Sequence, residues 1–258
     1  MKTALITGAC INTGVAIVEK FASEGWNIIF TGRNPETVQK KEAEYQEKFP
    51  SVKIIGFHIN SLIDERTVDE KSAQDMFKAI DDAGLIVDTL VLNAADQGLN
   101  IEVLNNPLTD FMKVINTNMT WNYLLSELAA ERMIKNGGGN IVFINSNTAY
   151  RAIPNRIAYS ASKSGQLGMM RAMALDLGKY NIRVNAVLPG MIKTDRWESN
   201  PDFYKNVPSR FTPIGDVATG DDVADAVWYF AAHARNTTGA ELVVDGGNTV
   251  QLYPIIKS

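Results

Sequence analysis

Short runs of β-branched and apolar residues alternate with longer stretches of helical pattern from one end of the chain to the other. A short apolar run is typical of a buried strand, whereas an amphipathic helix repeats its apolar positions every three or four residues. Strands are predicted at 2–7, 26–31, 53–59, 89–93, 140–145, 183–188 and 241–244. Helices are predicted near 14–24, 35–48, 70–83, 109–136, 157–179 and 220–233.

This alternation predicts a parallel sheet, because two consecutive parallel strands need a crossover connection, which is usually a helix. Strands that are covered on both faces read as almost continuous apolar runs, as these do. Seven strands in this rhythm indicate an α/β fold of the Rossmann type, with one doubly wound seven-stranded parallel sheet and helices on both faces. No linker or repeat interrupts the pattern, so residues 1–258 are expected to form a single domain.

One segment, about 190–219, falls outside the rhythm. It contains three prolines together with aromatic and large apolar residues that include Tyr204 and Phe211. It follows the carboxyl end of the sixth predicted strand, where open α/β sheets bind ligands. Long irregular segments in a compact domain are usually functional or disordered. We expect this segment to cover the substrate; a plain surface excursion is the alternative.

Charge and composition narrow the possible functions. A net charge of −4 in 258 residues argues against nucleic acid or an anionic membrane as the main partner. The single cysteine, Cys10, excludes an intrachain disulfide, and with two histidines a Cys/His metal cluster is not expected. No apolar run reaches the ~18 residues of a membrane span. The first residues resemble a strand rather than a signal peptide, so we expect a cytoplasmic protein.

The turn at 7–14 joins the first predicted strand to the first helix, and it contains Gly8 and Gly14. Glycines at this junction allow backbone amides and the helix N-terminus to approach a pyrophosphate. Two glycines are a weak pattern alone, and the position at the first strand–helix junction strengthens it. The turn is therefore a candidate dinucleotide site.

The end of the second predicted strand bears on the choice of dinucleotide. A carboxylate for the adenosine ribose hydroxyls is usual about 20 residues after the glycine turn, but here Arg33 stands at the tip. A guanidinium suits a 2′-phosphate, which a carboxylate would repel. We therefore expect NADP(H) to be preferred, with NAD(H) possible. The alternative is that Arg33 is a solvated loop arginine.

Tyr159 and Lys163 are four residues apart in a stretch that is predicted to be helical. This spacing puts both side chains on one face. A nearby cation favours the phenolate, so Tyr159 would exchange a proton closer to neutral pH than a free phenol with a pKa of about 10. Taken alone, the pair is also explained by chance.

Further residues make the pattern specific. Ser146 stands thirteen positions before Tyr159 at a predicted strand end, and Asn118 lies in the preceding long helix. With these residues the chain resembles the short-chain dehydrogenase/reductase family over about 2–250. The matching segments are 7–14, Asn93-Ala94-Ala95, Asn118, Ser146, Tyr159 with Lys163, Asn185, Pro189-Gly190 and 244–247.

The resemblance implies a catalytic role for each of four residues and no metal. Tyr159 would be the general acid in carbonyl reduction and the base in alcohol oxidation. Lys163 would lower the Tyr159 pKa and hydrogen-bond the nicotinamide ribose. Ser146 would hold the substrate oxygen as charge develops. Asn118 would hold a water that links Lys163 to solvent.

The resemblance also implies a set of cofactor residues, which includes Tyr159 and Lys163. The others are Gly8, Asn12, Thr13, Gly14, Arg33, Asn60, Asn93, Ala94, Pro189, Gly190, Ile192 and Thr194.

Three positions depart from the family pattern: Asn12 replaces a glycine, Ala95 replaces a glycine and Asn60 replaces an aspartate. Asn tolerates left-handed backbone, so the turn is expected to be kept. The stretch 61–71 is longer than usual and is expected to reshape the adenine side.

The predicted substrate residues are mainly polar. They are Asp96, Asn147, Thr148, Asn155 and Trp197, with Arg156 and Arg210 as candidates to meet a carboxylate. Polar groups beside an aromatic wall favour a hydroxylated or sugar-like ketone, or its alcohol. A 3-oxoacyl thioester, a hydroxysteroid and a non-catalytic nicotinamide-binding role stay open as alternatives. The resemblance also implies a homotetramer, or a dimer, formed through the helices at 109–136 and 157–179 and the C-terminal segment.

Overall fold

A seven-stranded parallel sheet forms the centre of the molecule. The structure is a computed structural model that describes residues 1–194, 197, 201 and 210–254. The strand order is β3-β2-β1-β6-β7-β8-β9, with every neighbouring pair parallel. These strands are β1 Thr3–Ile6, β2 Asn27–Gly32, β3 Ile54–His58, β6 Thr89–Leu92, β7 Gly139–Ile144, β8 Ile182–Pro189 and β9 Glu241–Val244. The predicted doubly wound parallel sheet is confirmed.

Helices cover both faces of the sheet because successive strand residues point to opposite sides. Ile28 and Phe30 of β2 join one apolar core, whereas Ile29 between them joins the other. The first core packs under α1 Asn12–Ser23, α2 Pro35–Lys48 and α7 Gly220–Trp228. The second packs under α3 Glu70–Asp82, α5 Trp121–Lys135 and α6 Ile157–Leu177, while α4 Leu108–Ile115 precedes α5. Among the described helices, none is both long enough and apolar enough to cross a membrane.

Three loops begin their helices with side-chain caps. Asn34 accepts a hydrogen bond from the Thr37 amide at the start of α2, and Asp69 accepts one from the Ser72 amide at the start of α3. Thr219 begins α7 with a capping box. Such caps satisfy amides that have no partner within the helix. The start of α1 differs, because Ile11 provides no side-chain cap.

The structure differs from the sequence-based expectation in three elements, one of which is the helix predicted at 220–233, where α7 ends at Trp228 and a π-helical turn, Tyr229–His233, follows. The long stretch at 61–71 forms an antiparallel hairpin, β4 Leu62–Asp64 and β5 Thr67–Val68. The helix predicted at 109–136 contains a π-helical turn, Asn116–Thr120, between α4 and α5. A π turn shifts the hydrogen-bond pattern by one residue and often marks a functional site. Apolar periodicity does not reveal it, because the helix continues on both sides.

The segment at 190–219 leaves the sheet edge and returns beside its own start. Ile192 pairs with Ala218, and the Lys193 amide donates to the Ala218 carbonyl at 2.8 Å. Phe211 is partly buried. Tyr204, which was expected to contribute to an aromatic cover, lies outside the described residues. The covering role of the segment stays a prediction.

Candidate active site

The turn after β1 has the backbone that the sequence predicted. Gly8 has φ +64°, and Asn12, at the position of a usual glycine, has φ +47°. A side chain at Gly14 would come within 2.5 Å of the Gly8 carbonyl oxygen, so only glycine fits there. Left-handed backbone suits glycine and asparagine. The expectation that Asn12 keeps the turn is confirmed.

Two residues after β6 hold this turn against the sheet. The Asn93 side-chain nitrogen donates to the carbonyls of Thr7 and Gly8, each at 3.0 Å. The Thr7 hydroxyl oxygen accepts from the amides of Asn93 and Ala94 at 2.9 and 3.0 Å. Asn93 and Ala94 therefore lie at the predicted cofactor edge, and the Asn93 side chain shapes the turn.

The residues at this edge fit a dinucleotide pyrophosphate. Thr13 and Gly14 are buried at the N-terminus of α1, where the amides have no side-chain cap. Uncapped amides and the positive end of the helix dipole attract anions. Strand β2 ends at Gly32, and Arg33 and Asn60 follow the neighbouring strands β2 and β3 as exposed residues. Arg33 forms no ion pair with another described residue, which leaves its charge available for a phosphate.

Ser146 and Tyr159 meet at the same edge of the sheet. Ser146 follows β7 and Tyr159 lies in the first turn of α6, and the Ser146 hydroxyl is near enough to the phenol to act on its pKa. The Ser146 oxygen accepts from the Thr148 amide at 3.1 Å, which leaves its hydroxyl hydrogen free to point elsewhere. Burial raises the pKa of Tyr159, while the Ser146 hydrogen bond and the Arg156 charge act against this shift.

Lys163 lies deeper than Tyr159 and is 1% exposed. Its Nζ donates to the Ile144 carbonyl at 2.8 Å and lies 5.6 Å from the centre of the Tyr159 ring. Burial lowers the pKa of Lys163 to about 7. In the protein without nucleotide the pKa of Tyr159 is therefore raised rather than lowered, and the role of a charged Lys163 on Tyr159 stays a prediction. The reason is that dehydration opposes the charged form of both groups.

Asn118 lies in the π turn and is completely buried. Its side-chain nitrogen donates to the Asp96 carbonyl at 2.8 Å and to the Ser162 hydroxyl at 2.9 Å, and its side-chain oxygen accepts from the Asp96 amide at 2.8 Å. Its backbone carbonyl accepts from the Gln166 side chain at 2.6 Å. The Gln166 amide therefore connects Asn118 to Lys163, and the expected water between these two residues stays a prediction.

Sequence reasoning missed two buried amides beside Lys163, namely Asn145 and Gln166. Asn145 donates to the Lys163 carbonyl at 2.8 Å, and Gln166 lies one helical turn after Lys163. The signal for Gln166 was available, since residues three apart share a helix face. The signal for Asn145 was weaker, because a polar residue at a strand end has many ordinary explanations.

The predicted substrate residues fall into two groups. Asn147 is close to the start of the C-terminal turn, where it donates to Asn248 at 2.9 Å, and Thr148 is buried nearby. The Asp96 carboxylate is instead bound by the Gly98 amide at 2.8 Å and by Lys113 at 3.1 Å. Asp96 therefore holds its own loop, and the structure gives it a positioning contact rather than a free carboxylate.

A cavity of about 730 Å³ lies beside the N-terminal turn of α6. Thr148, Asn155 and Arg156 contribute to its walls, but Ser146 and Tyr159 do not line it. Asn155 has φ +62°, and Arg156 donates to the Gly98 carbonyl at 2.7 Å. Thr148 and Asn155 thus line a cavity that the Ser146 and Tyr159 hydroxyls do not border.

The remaining predicted cofactor residues follow β8. Pro189 ends the strand, and the Gly190 amide donates to the Val244 carbonyl at 3.0 Å. A side chain at Gly190 would come within 2.5 Å of the Asp245 side chain. Ile192 and Thr194 are partly buried, and the Trp197 amide donates to the Thr194 carbonyl at 2.8 Å. Within the described ranges, no cluster of three or more His, Cys, Asp or Glu side chains could hold a metal ion.

Known proteins resemble this chain over nearly its whole length. Residues 8–249 match the family described as enoyl-(acyl carrier protein) reductase. The chain is 30% identical to the 3-oxoacyl-(acyl-carrier-protein) reductase FabG of Aquifex aeolicus, over 95% of this chain and 96% of that protein. The solved structure of ElxO with NADP bound has a TM-score of 0.87 and 27% identity, covering 97% of this chain and 99% of ElxO.

A further solved structure shows a relative with its ligands. The 7α-hydroxysteroid dehydrogenase complexed with NADH and 7-oxo glycochenodeoxycholic acid has a TM-score of 0.85 and 30% identity. The match covers 97% of this chain and 95% of that one. Of these two solved structures, one holds NADP and the other holds NADH.

Proposed function

Because the chain belongs to the short-chain dehydrogenase/reductase family, we propose that it is an NADP(H)-dependent oxidoreductase that interconverts a ketone and a secondary alcohol. The observation that supports this most strongly is the joint position of Ser146, Tyr159 and Lys163 beside the turn after β1. A proton donor and a hydrogen-bond donor for an oxygen thus lie at the edge that fits a dinucleotide.

In the proposed reaction, the protein binds the substrate oxygen and moves one proton. The nicotinamide, when bound, supplies or accepts the hydride. The raised pKa of Tyr159 keeps its phenol protonated near neutral pH, which suits a general acid in ketone reduction. Ser146 has its hydrogen free to donate to the same oxygen as charge develops on it.

Lys163 would hold the nicotinamide ribose and, when charged, stabilise the phenolate that Tyr159 leaves after donating its proton. Its Nζ has three hydrogens when protonated, of which two point to Ile144 and Gln166. One hydrogen therefore remains for a ribose hydroxyl. This assignment requires Lys163 to be at least partly protonated at the working pH.

The preference for NADP(H) is supported by Arg33, which is exposed beside the predicted adenosine edge and has no described ion-pair partner. ElxO has been solved with NADP, whereas 7α-hydroxysteroid dehydrogenase was solved with NADH. Family membership is therefore compatible with both nucleotides. The proposed preference of this chain for NADP(H) rests on Arg33.

Arg33→Ala is expected to raise the Kd for NADPH by about 10- to 100-fold, since hydrogen bonds to a charged group contribute about 1.5–3 kcal/mol. The Kd for NADH should change by less than about threefold, because NADH lacks the 2′-phosphate that Arg33 would bind. Fluorescence titration of each nucleotide measures both values. Arg235→Ala is the matched control, since Arg235 is exposed at the opposite edge of the sheet. Equal losses for the two nucleotides would exclude the 2′-phosphate assignment.

A polar, hydroxylated or sugar-like ketone is the proposed substrate. Asn147 and Asn248 are hydrogen-bonded next to Ser146. Amides beside Ser146 suit a substrate hydroxyl better than a bare steroid face, because an unpaired polar group is costly in a dry pocket. A 3-oxoacyl thioester and a hydroxysteroid are the second candidate substrates, because the names of the relatives indicate these two classes.

A substrate panel tests this function. NADPH oxidation would be followed with a keto sugar, a 3-oxoacyl thioester, an oxo bile acid and a simple ketone at equal concentration. We expect the highest kcat/KM for the hydroxylated ketone. A higher value for the thioester or the steroid would replace the proposed substrate class, and no turnover with NADPH or NADH in the whole panel would favour the non-catalytic alternative.

We also propose a homotetramer, with a dimer as the second possibility. Apolar side chains are exposed on the predicted contact helices and near the C-terminus. They are Tyr123, Ile134, Ile157, Leu175, Val250, Leu252 and Tyr253. Light scattering is expected to give four times the chain mass of 28.4 kDa, and a monomer would contradict the proposal. The cytoplasmic location stays a prediction that cell fractionation would check.

A further inference from the structure

Gln166 uses both ends of its side chain in the buried region behind the catalytic pair. It is 1% exposed and lies one turn after Lys163 on α6. Its Oε1 accepts from Asn145 Nδ2 at 3.0 Å and from Lys163 Nζ at 3.4 Å. Its Nε2 donates to the Asn118 carbonyl at 2.6 Å. One side chain thus connects β7, α6 and the π turn.

The neighbouring groups determine the orientation of this amide. Asn145 Oδ1 accepts from the Ser146 amide at 2.7 Å, and Asn145 Nδ2 donates to the Lys163 carbonyl at 2.8 Å, so its nitrogen faces Gln166. A flipped Gln166 would set its nitrogen against the donors of Asn145 and Lys163 and its oxygen against the Asn118 carbonyl. Only the observed orientation satisfies all three neighbours.

We infer that Gln166 is a positioning residue for Lys163. The neutral side-chain amide of Gln166 holds the Lys163 ammonium group behind Tyr159 and sets how readily that group keeps its proton. This inference rests on the proposed function, in which Lys163 acts on the ribose and on Tyr159. Apart from Gln166, Nζ donates within the described part of the chain only to the Ile144 carbonyl. Without Gln166, one hydrogen bond would restrain a long flexible side chain.

The charges around Lys163 make the identity of residue 166 important. Tyr159 on α6 itself is the titratable group in contact with Nζ. On the side of α4, the Asp96 carboxylate lies beyond Asn118 and is paired with Lys113. Lys163 forms no ion pair with a carboxylate of the described chain. A neutral oxygen at residue 166 is therefore its side-chain acceptor.

Two substitutions change this acceptor in opposite directions. Gln166→Met keeps the length of the side chain but removes the oxygen, which disfavours the charged form of Lys163. Gln166→Glu replaces the amide oxygen by a carboxylate, which favours the charged form. A purely structural Gln166 would give a destabilised Gln166→Met protein with the native Lys163 titration.

The experiment follows the titration of Lys163 directly in the protein without nucleotide. Lysine is labelled at Cε with ¹³C, and the signal that is missing in Lys163→Met is assigned to Lys163. We expect its apparent pKa to fall in Gln166→Met and to rise in Gln166→Glu, each by about one unit or more. Gln74→Met and Gln74→Glu are matched controls, because Gln74 is exposed on α3. Circular dichroism checks the fold of each variant.

Opposite shifts would support the inference, and an unchanged Lys163 titration in either folded variant would overturn it. If Gln166→Met does not fold, Gln166→Leu takes its place, because leucine also removes the oxygen that accepts from Lys163. A second measurement connects the titration to catalysis: the pH dependence of kcat should move in the same direction as the Lys163 pKa, with the ketone KM almost unchanged. Absence of turnover would refute the proposed function, whereas the NMR titration would still decide the role of Gln166.

Discussion

Tyr159→Phe is expected to lower kcat for ketone reduction by about 10³-fold while leaving the Kd for NADPH within about threefold of the native value. The phenol hydroxyl is the group placed to give a proton to the substrate oxygen, and general acid catalysis contributes roughly 10²–10⁴-fold. Phenylalanine keeps the ring that packs near Lys163, so the fold and the nucleotide site should persist. The loss would appear in kcat because the missing interaction belongs to the transition state.

The measurement is NADPH oxidation with the best ketone of the panel, together with a fluorescence titration of NADPH. Tyr180→Phe is the matched control, since Tyr180 is exposed just beyond the C-terminal end of α6, far along the helix from Tyr159. We expect the control to behave as the native protein. A Tyr159→Phe protein with native kcat would remove Tyr159 from the mechanism and, with it, the main support for the proposed function.

Lys163→Met is expected to impair both nucleotide binding and turnover. The variant loses the hydrogen bonds that Nζ would make to the ribose and the charge that stabilises the Tyr159 phenolate. At about 1.5–3 kcal/mol for a hydrogen bond to a charged group, the Kd for NADPH should rise by about 10- to 100-fold. The value of kcat should fall by a further factor of about 10–100, so kcat/KM falls by about 10²–10⁴.

Stability provides a second measurement on the same variant that needs no substrate. Burial lowers the folded-state pKa of Lys163 from its ordinary value of 10.5 to about 7. Between pH 7 and pH 10.5 the unfolded chain therefore binds more protons at this group than the folded chain, and the free energy of unfolding rises with pH. The slope from this group is at most about 1.4 kcal/mol per pH unit.

Chemical denaturation at pH 7 and pH 9 should show this increase in the native protein and a smaller one in Lys163→Met. Lys179→Met is the control, because Lys179 is exposed beyond the end of α6. Tyr159 does not obscure the result, since its raised pKa places its titration above this window. Identical pH dependence in native protein and Lys163→Met would show that Lys163 is not dehydrated in the folded protein.

The order of strands and helices could be predicted from the sequence because it depends on local patterns. Strands covered on both faces need apolar residues at nearly every position, and β2 with its alternate contributions to two cores follows this rule. Gly14 and Asn12 could be placed in the turn after β1 because few residue types tolerate that backbone. Spacing alone put Tyr159 and Lys163 on one helix face.

The π turn and the hairpin at 61–71 could not be predicted in the same way. The apolar repeat is recognisable on both sides of each element. The pattern of apolar residues therefore did not indicate either of them. The π turn nevertheless presents the Asn118 carbonyl to Gln166. For Asp96, the sequence position next to the predicted cofactor segment indicated a substrate contact. In the structure its carboxylate is instead paired with Lys113, whose position depends on how α4 packs.

The sequence by itself determined the sheet, the backbone of the turn after β1 and the shared helix face of Tyr159 and Lys163, because these follow from which side chains tolerate burial, a left-handed turn or a spacing of four residues. Only the tertiary structure decided the protonation properties of the site and its supporting amides. The pKa of Tyr159 rises and that of Lys163 falls through burial, and Gln166 meets Asn118 from 48 residues away in the chain. Dehydration and long-range hydrogen bonds depend on distant segments that come together only in the folded protein.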